Sequence, residues 1–137
     1  HALISDLEAM RTQQDEFHSL VSLRSLSSFA TILAAAEALH KSDRGPEALE
    51  WLAQWIRDLI LVCVGGDREA LVNGDRLVSL EEASRAARLD LLLDLHEDLG
   101  AMSRAASRNL NLQLALENTL LRLREALCMP TESRTAT

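Results

Sequence analysis

Pro46-Glu47-Ala48-Leu49-Glu50-Trp51-Leu52-Ala53-Gln54-Trp55-Ile56-Arg57-Asp58-Leu59-Ile60-Leu61-Val62-Cys63-Val64-Gly65-Gly66 is the stretch that decides the fold. From Glu47 to Val64 the polar positions are Glu47, Glu50, Gln54, Arg57 and Asp58, spaced 3, 4, 3 and 1. On a helix they make one narrow wet strip. Everything else is apolar, and a helix so nearly apolar all round runs through a core rather than over a surface. At 1.5 Å per residue it spans roughly 27 Å, the width of a small domain. Pro46 suits the first helical position, where its missing N–H costs nothing. Gly65-Gly66 is a stop signal.

Working outward, Leu3, Leu7, Met10, Phe17 and Val21 keep helical spacing, which predicts one long or two short helices over about 2–24. Ser25, Ser27 and Ser28 then interrupt, and a serine there can cap the next helix. Phe29, Ile32, Leu33, Ala36 and Leu39 form its stripe, and Lys41-Ser42-Asp43-Arg44-Gly45-Pro46 breaks it. After Gly66 the chain reads as irregular or a short helical turn to Val78, with Asn73-Gly74-Asp75 as a turn signal. Ser79-Leu80-Glu81-Glu82 has the pattern of a capping box. Leu92, Leu95, Leu99, Met102 and Ala106 make a further stripe, with Asp90, Asp94, Glu97 and Asp98 early and Arg104 and Arg108 late, as the helix macrodipole prefers. Asn111 is a good N-cap for a last helix carrying Leu112, Leu116, Leu120, Leu123 and Leu127. Leu114 and Leu121 widen its face, and Pro130 ends it. The expected fold is therefore all-α, a compact bundle of five to six helices. Residues 12–130 are assigned to the bundle and 131–137 to a disordered tail. Residues 1–11 are read as linker or tag remnant running into the first helix, since the chain opens on His1.

Composition agrees. The 137 residues fit one domain, 47% are apolar and 26% charged, and Gly and Pro number only five and two. The net charge is −7 and there is no Tyr. That is a poor basis for direct nucleic-acid binding, which needs a basic face and stacking aromatics. The longest apolar run, Leu59 to Val64, is far short of the roughly 20 residues of a membrane span. Cys63 and Cys128 form neither a disulfide framework nor a zinc pattern, and Cys63 reads as a small buried hydrophobe in a reducing compartment.

Chemistry is hard to find. A phosphate loop needs Gly-x4-Gly-Lys-Ser/Thr, but no glycine stands correctly before Lys41-Ser42. A di-metal carboxylate bundle needs two Glu-x-x-His pairs. The chain has one, Glu37 with His40, near a helix end where solvated charge is common. His96 lies among Asp94, Glu97 and Asp98, but i and i+2 point apart on a helix, so this reads as an acidic face. Neither cysteine has a histidine at a diagnostic spacing. Trp51 and Trp55, four apart, suit core packing, with a protein interface as the other use. Composition and periodicity thus predict a scaffold without an active site, a cofactor or a small-molecule ligand.

Three segments in order carry a resemblance. Trp51-Leu52-Ala53-Gln54-Trp55-Ile56-Arg57-Asp58-Leu59-Ile60-Leu61 resembles a Trp-Leu-x-Asp-Leu-Leu core helix. Leu71-Val72-Asn73-Gly74-Asp75 resembles a following Leu-Val/Ile-Asn-x-Asp segment. Arg108-Asn109-Leu110-Asn111-Leu112-Gln113-Leu114-Ala115-Leu116-Glu117, then Leu120-Leu121-Arg122-Leu123, resembles an Asn-x-Asn-Pro-Gln-Leu-Ala-Leu-Glu ending, with Leu112 where proline is common. Together they look like the C-terminal collar domain of the delta-prime subunit of the bacterial DNA polymerase III clamp loader, over roughly Phe17 to Leu127. The positions that carry it are Trp51, Trp55, Asp58, Asn73, Asp75, Arg108, Asn109, Asn111, Gln113 and Glu117.

The resemblance implies a cytoplasmic, non-catalytic oligomerisation domain. In that family the collars of one delta-prime, one delta and three gamma/tau subunits close a ring that holds the AAA+ modules over DNA while the sliding clamp is opened. It implies gamma/tau and delta collars as partners. It implies no metal, no cofactor, no membrane and no direct nucleic-acid contact for this domain. The other expectations are a gamma/tau or delta seat in the same ring and, in a different class, a metalloprotein using Glu37 and His40.

Overall fold

A computed structural model describes residues 2–22, 26–41, 45–105 and 111–127. Six α-helices account for most of them: α1 (Ala2–Leu20), α2 (Phe29–Lys41), α3 (Gly45–Cys63), α4 (Leu77–Ser84), α5 (Leu89–Ala105) and α6 (Leu112–Ala126). Two 3-10 turns, Arg68–Ala70 and Gly74–Arg76, link α3 to α4. The described residues contain no strand, so the all-α bundle is the observed fold.

α3 is its axis. It packs against α5, α4, α6 and α2, and α2 with α6 and α5 with α6 complete the bundle. Contacts on so many sides are why its apolar positions go nearly all the way round. Leu49, Leu52, Trp55, Ile56 and Leu59 are buried. Leu92, Leu95 and Leu99 of α5 and Leu116, Leu120 and Leu123 of α6 meet them in one core. Arg88 at the start of α5 donates its backbone N–H to the Ala126 carbonyl (2.7 Å), so a free group at one helix start satisfies a free group at another helix end.

The helix ends follow the expected punctuation, with one exception. The Ser28 hydroxyl accepts from Thr31 N–H at 3.3 Å and caps α2. The Asn111 side chain accepts from Leu114 N–H at 3.1 Å and caps α6. Gly65 has φ +70°, Gly66 N–H bonds the Leu61 carbonyl (2.8 Å) and Gly65 N–H that of Val62 (3.2 Å). This paired closure of a helix end calls for a left-handed residue. A Cβ at position 65 would meet no atom within 4 Å. Gly65→Ala therefore suffers only the backbone penalty, about 1–2 kcal/mol. Urea unfolding should register that loss, and an unchanged midpoint would show that α3 ends differently.

The exception is the Ser79 capping box. α4 begins at Leu77, with Arg76 as its N-cap and no side-chain cap bond. The 3-10 turn Gly74–Arg76 runs straight into it, so Ser79 is already inside the helix. The α2 stripe is rotated from expectation, and the α6 stripe falls as expected except at Leu114. On α2 the core takes Ile32, Ala35, Ala36 and Leu39, leaving Phe29 and Leu33 exposed. On α6 it takes Ala115 and Leu116, so Leu114 is exposed and only Leu121 widens the packed face. Cys63 is half-buried; partial desolvation raises its thiol pKa. Arg108, Asn109, Cys128, Pro130 and the tail lie outside the described residues.

Candidate functional site

Asp58 was expected on the wet strip of α3. Its side chain is instead wholly buried. The reason lies in the loop that follows. Val72 N–H donates to Asp58 Oδ1 at 3.0 Å, Asn73 N–H donates to Oδ2 at 2.6 Å, and the Asn73 side-chain Nδ2 donates to Oδ2 at 2.9 Å. A buried carboxylate is tolerable when N–H groups replace its water, and hydrogen bonds to a charged acceptor are the strong kind. Arg57 adds a more distant cation, Nη1 at 3.7 Å from Oδ1, while the same nitrogen donates to the Ala70 carbonyl at 3.2 Å. One helical turn thus pins residues 70–73. The Asp67 side chain, which accepts from Glu69 N–H at 2.9 Å, and the Arg68–Glu81 ion pair at 2.8 Å brace the rest of the connection.

The loop in turn holds α1. His18 Nε2 lies 2.9 Å from Asn73 Oδ1, and Arg76 pairs with Asp15 at 2.5 Å. Phe17 packs its ring on Trp51 (centroids 5.6 Å apart, 59°) and His18 on Trp55 (5.4 Å, 50°). Trp55 is buried and Trp51 half-buried. Trp55 Nε1 and His18 Nδ1 are buried and have no hydrogen-bond partner among the described residues. Open grooves flank this contact. One is lined by Trp51, Gln54, Val72 and Asp75, the other by Trp55, Arg76, Ser79 and Glu82, and Asp15 and His18 border both.

The residues singled out in the sequence therefore fall into two places. Trp51, Trp55, Asp58 and Asn73 meet at one node, with exposed Asp75 at its rim, 3.9 Å from Arg76 Nε. Asn111, Gln113 and Glu117 lie on the first turns of α6, where Gln113 Nε2 donates to Glu117 Oε1 at 3.3 Å. No hydrogen bond or ion pair joins the two groups among the described residues. Asp15, His18 and Arg76 were not among the residues singled out. Their partners are 55 and 61 residues away, and no local pattern marks such pairs.

Glu37 and His40 are exposed on α2. Glu37 pairs with Lys41 at 2.6 Å, and that hydrogen bond, with the lysine charge behind it, lowers the carboxyl pKa and raises that of the ammonium. The described residues contain no group of three or more His, Cys, Asp or Glu able to hold a metal ion. No helix among them is long and apolar enough to cross a membrane.

No curated protein and no solved structure matches the chain. A family model does, that of the C-terminal part of the DNA polymerase III delta subunit, over residues 15–125. The match takes in α2 to α5, most of α6 and the part of α1 that docks on the Asp58 node, and the chain belongs to this DNA polymerase III clamp-loader family, whose work is DNA replication.

Proposed function

We propose that residues 12–130 are a collar domain in the delta-prime seat of a clamp loader, preceded by residues 1–11, which lead into it as the start of the first helix, and followed by a tail (131–137). Its work is non-catalytic: it holds two different neighbours, a gamma/tau collar on one face and a delta collar on the other. Head-to-tail contacts of this kind build rings of unlike subunits rather than symmetric dimers. The match of residues 15–125 to the C-terminal part of the delta subunit supports the clamp-loader part of this reading. The delta-prime seat, rather than a gamma/tau or delta seat, rests on the resemblance of Asn109–Glu117. Exposed Phe29, Leu33 and Leu114 supply apolar surface beyond what the core uses, and arginines, which outnumber lysine 13 to one, suit the rim of such an interface. The domain acts in the bacterial cytoplasm, binds no metal or cofactor, and leaves DNA to other parts of the assembly.

Native mass spectrometry of the chain mixed with gamma/tau and delta collars from the same bacterium tests this. A complex containing one copy of this chain and both partners is the expected result. A chain that replaces gamma/tau or delta in the complex, instead of joining both, would move it to that seat. A chain that ignores full-length partners as well as isolated collars would end the proposal.

A further inference from the structure

The hydrogen-bond chain His18–Asn73–Asp58 has a direction. Asn73 Nδ2 lies 2.9 Å from a buried carboxylate oxygen, so the NH2 end of the amide faces Asp58 and the oxygen faces away. That oxygen lies 2.9 Å from His18 Nε2. Two acceptors cannot share a hydrogen bond, so His18 carries its proton on Nε2 and donates it. Nδ1 is buried and has no hydrogen-bond partner among the described residues.

The attachment is also hierarchical. Asp58 holds the loop through two backbone N–H groups that no side-chain change removes. Of the three donors on Asp58, only the Asn73 amide passes the connection on to α1, beside the exposed Arg76–Asp15 pair and the ring contacts of Phe17 and His18. The bundle itself closes without α1, through α2 on α6, α3 on α5 and α5 on α6. Among the described side chains of α1 and the turn after it, only Phe17 and Val21 are fully buried, while those from Leu7 to Gln14 are exposed.

We infer that α1 is a strap that leaves the bundle as a unit, and that the Asn73 side chain is its latch. The inference concerns this chain's own helix and holds whichever seat the domain takes. Removing the latch opens the strap and leaves the bundle closed. Segments with few buried contacts open below the global unfolding free energy.

Hydrogen exchange of the native chain measures this directly, with Asn73→Ala and His18→Ala as two independent ways to break the latch. A neutral hydrogen bond sets the scale, roughly a three- to tenfold rise in opening. That rise is expected at the amides of 12–22 in both variants, with α3, α5 and α6 unchanged. A uniform rise across all helices would make the contact part of the global fold, and no rise in α1 would remove the latch. A nitrogen-shift measurement on His18 adds a check that stability cannot mimic: an Nε2–H tautomer is expected, and an Nδ1–H tautomer overturns the assignment.

Discussion

Asp58→Ala is expected to destabilise the domain by about 3–5 kcal/mol, the range for removing one partner from a buried, charge-assisted cluster. The carboxylate is wholly buried and takes three N–H donors, two of them backbone. Alanine leaves all three without an acceptor. The loop can swing out to rehydrate them, but Leu71, packed on the core, then goes too. A domain of this size commands only about 5–15 kcal/mol in total, so the variant should sit near its unfolding transition. Asp58→Asn tests the cause. It keeps the shape but turns an NH2 toward N–H donors, so it too should be costly, by a smaller margin. Arg57→Ala serves as the control. Its guanidinium is 45% exposed, and pairs of that kind contribute less than about 1 kcal/mol. Urea midpoints for the three variants decide the matter. Equal losses for Asp58→Ala and Arg57→Ala would mean that the ion pair, not the backbone donors, holds the loop.

The second large effect belongs to α6. Leu120→Ala should cost about 2–5 kcal/mol, because the side chain is wholly buried and the neighbours that would have to fill the cavity are helices fixed on both sides. Leu114→Ala, six positions earlier on the same helix, should change stability by less than about 0.5 kcal/mol, since Leu114 is 60% exposed. The pair is diagnostic of function as well as fold. If Leu114 belongs to a subunit contact, its alanine variant keeps its unfolding midpoint and weakens the mixed complex in native mass spectrometry. A stability loss as large as that of Leu120→Ala would place Leu114 in the core and contradict the packing described above.

Much of the fold was legible because it depends on local rules. The apolar wrap of α3, its stop at Gly65 and the Asn111 cap need only neighbours within a turn or two, and each appears where the spacing predicts it. The rotated stripe of α2 was less legible. Phe29 and Leu33 fit a helical period as well as Ala35 does, and only the position of α6 decides which of them is covered. Asp58 was misread for a deeper reason. A polar residue on a helix is assigned to water unless its partners are known, and these partners are backbone N–H groups of Val72 and Asn73, which every sequence possesses. The capping box at Ser79 failed because the preceding 3-10 turn had already set the chain into a helical path. The Asn73–His18 bond spans 55 residues and leaves no periodic trace. What pointed to this region was the resemblance in Trp51–Leu61 and Leu71–Asp75, and the structure gives those two segments a reason to occur together: one holds the acceptor and the other the donors.

The same arrangement bears on the order in which the molecule assembles. Asp58 meets Val72 and Asn73 across 14 and 15 residues, whereas Arg124 reaches the Ser27 carbonyl across 97. Chain entropy makes the longer closure dearer by about 1.7 kcal/mol, taking a flexible-chain estimate. The carboxylate and its loop can therefore form a small early nucleus around the end of α3, while contacts joining the chain's first and last thirds wait until that nucleus has shortened the path between them.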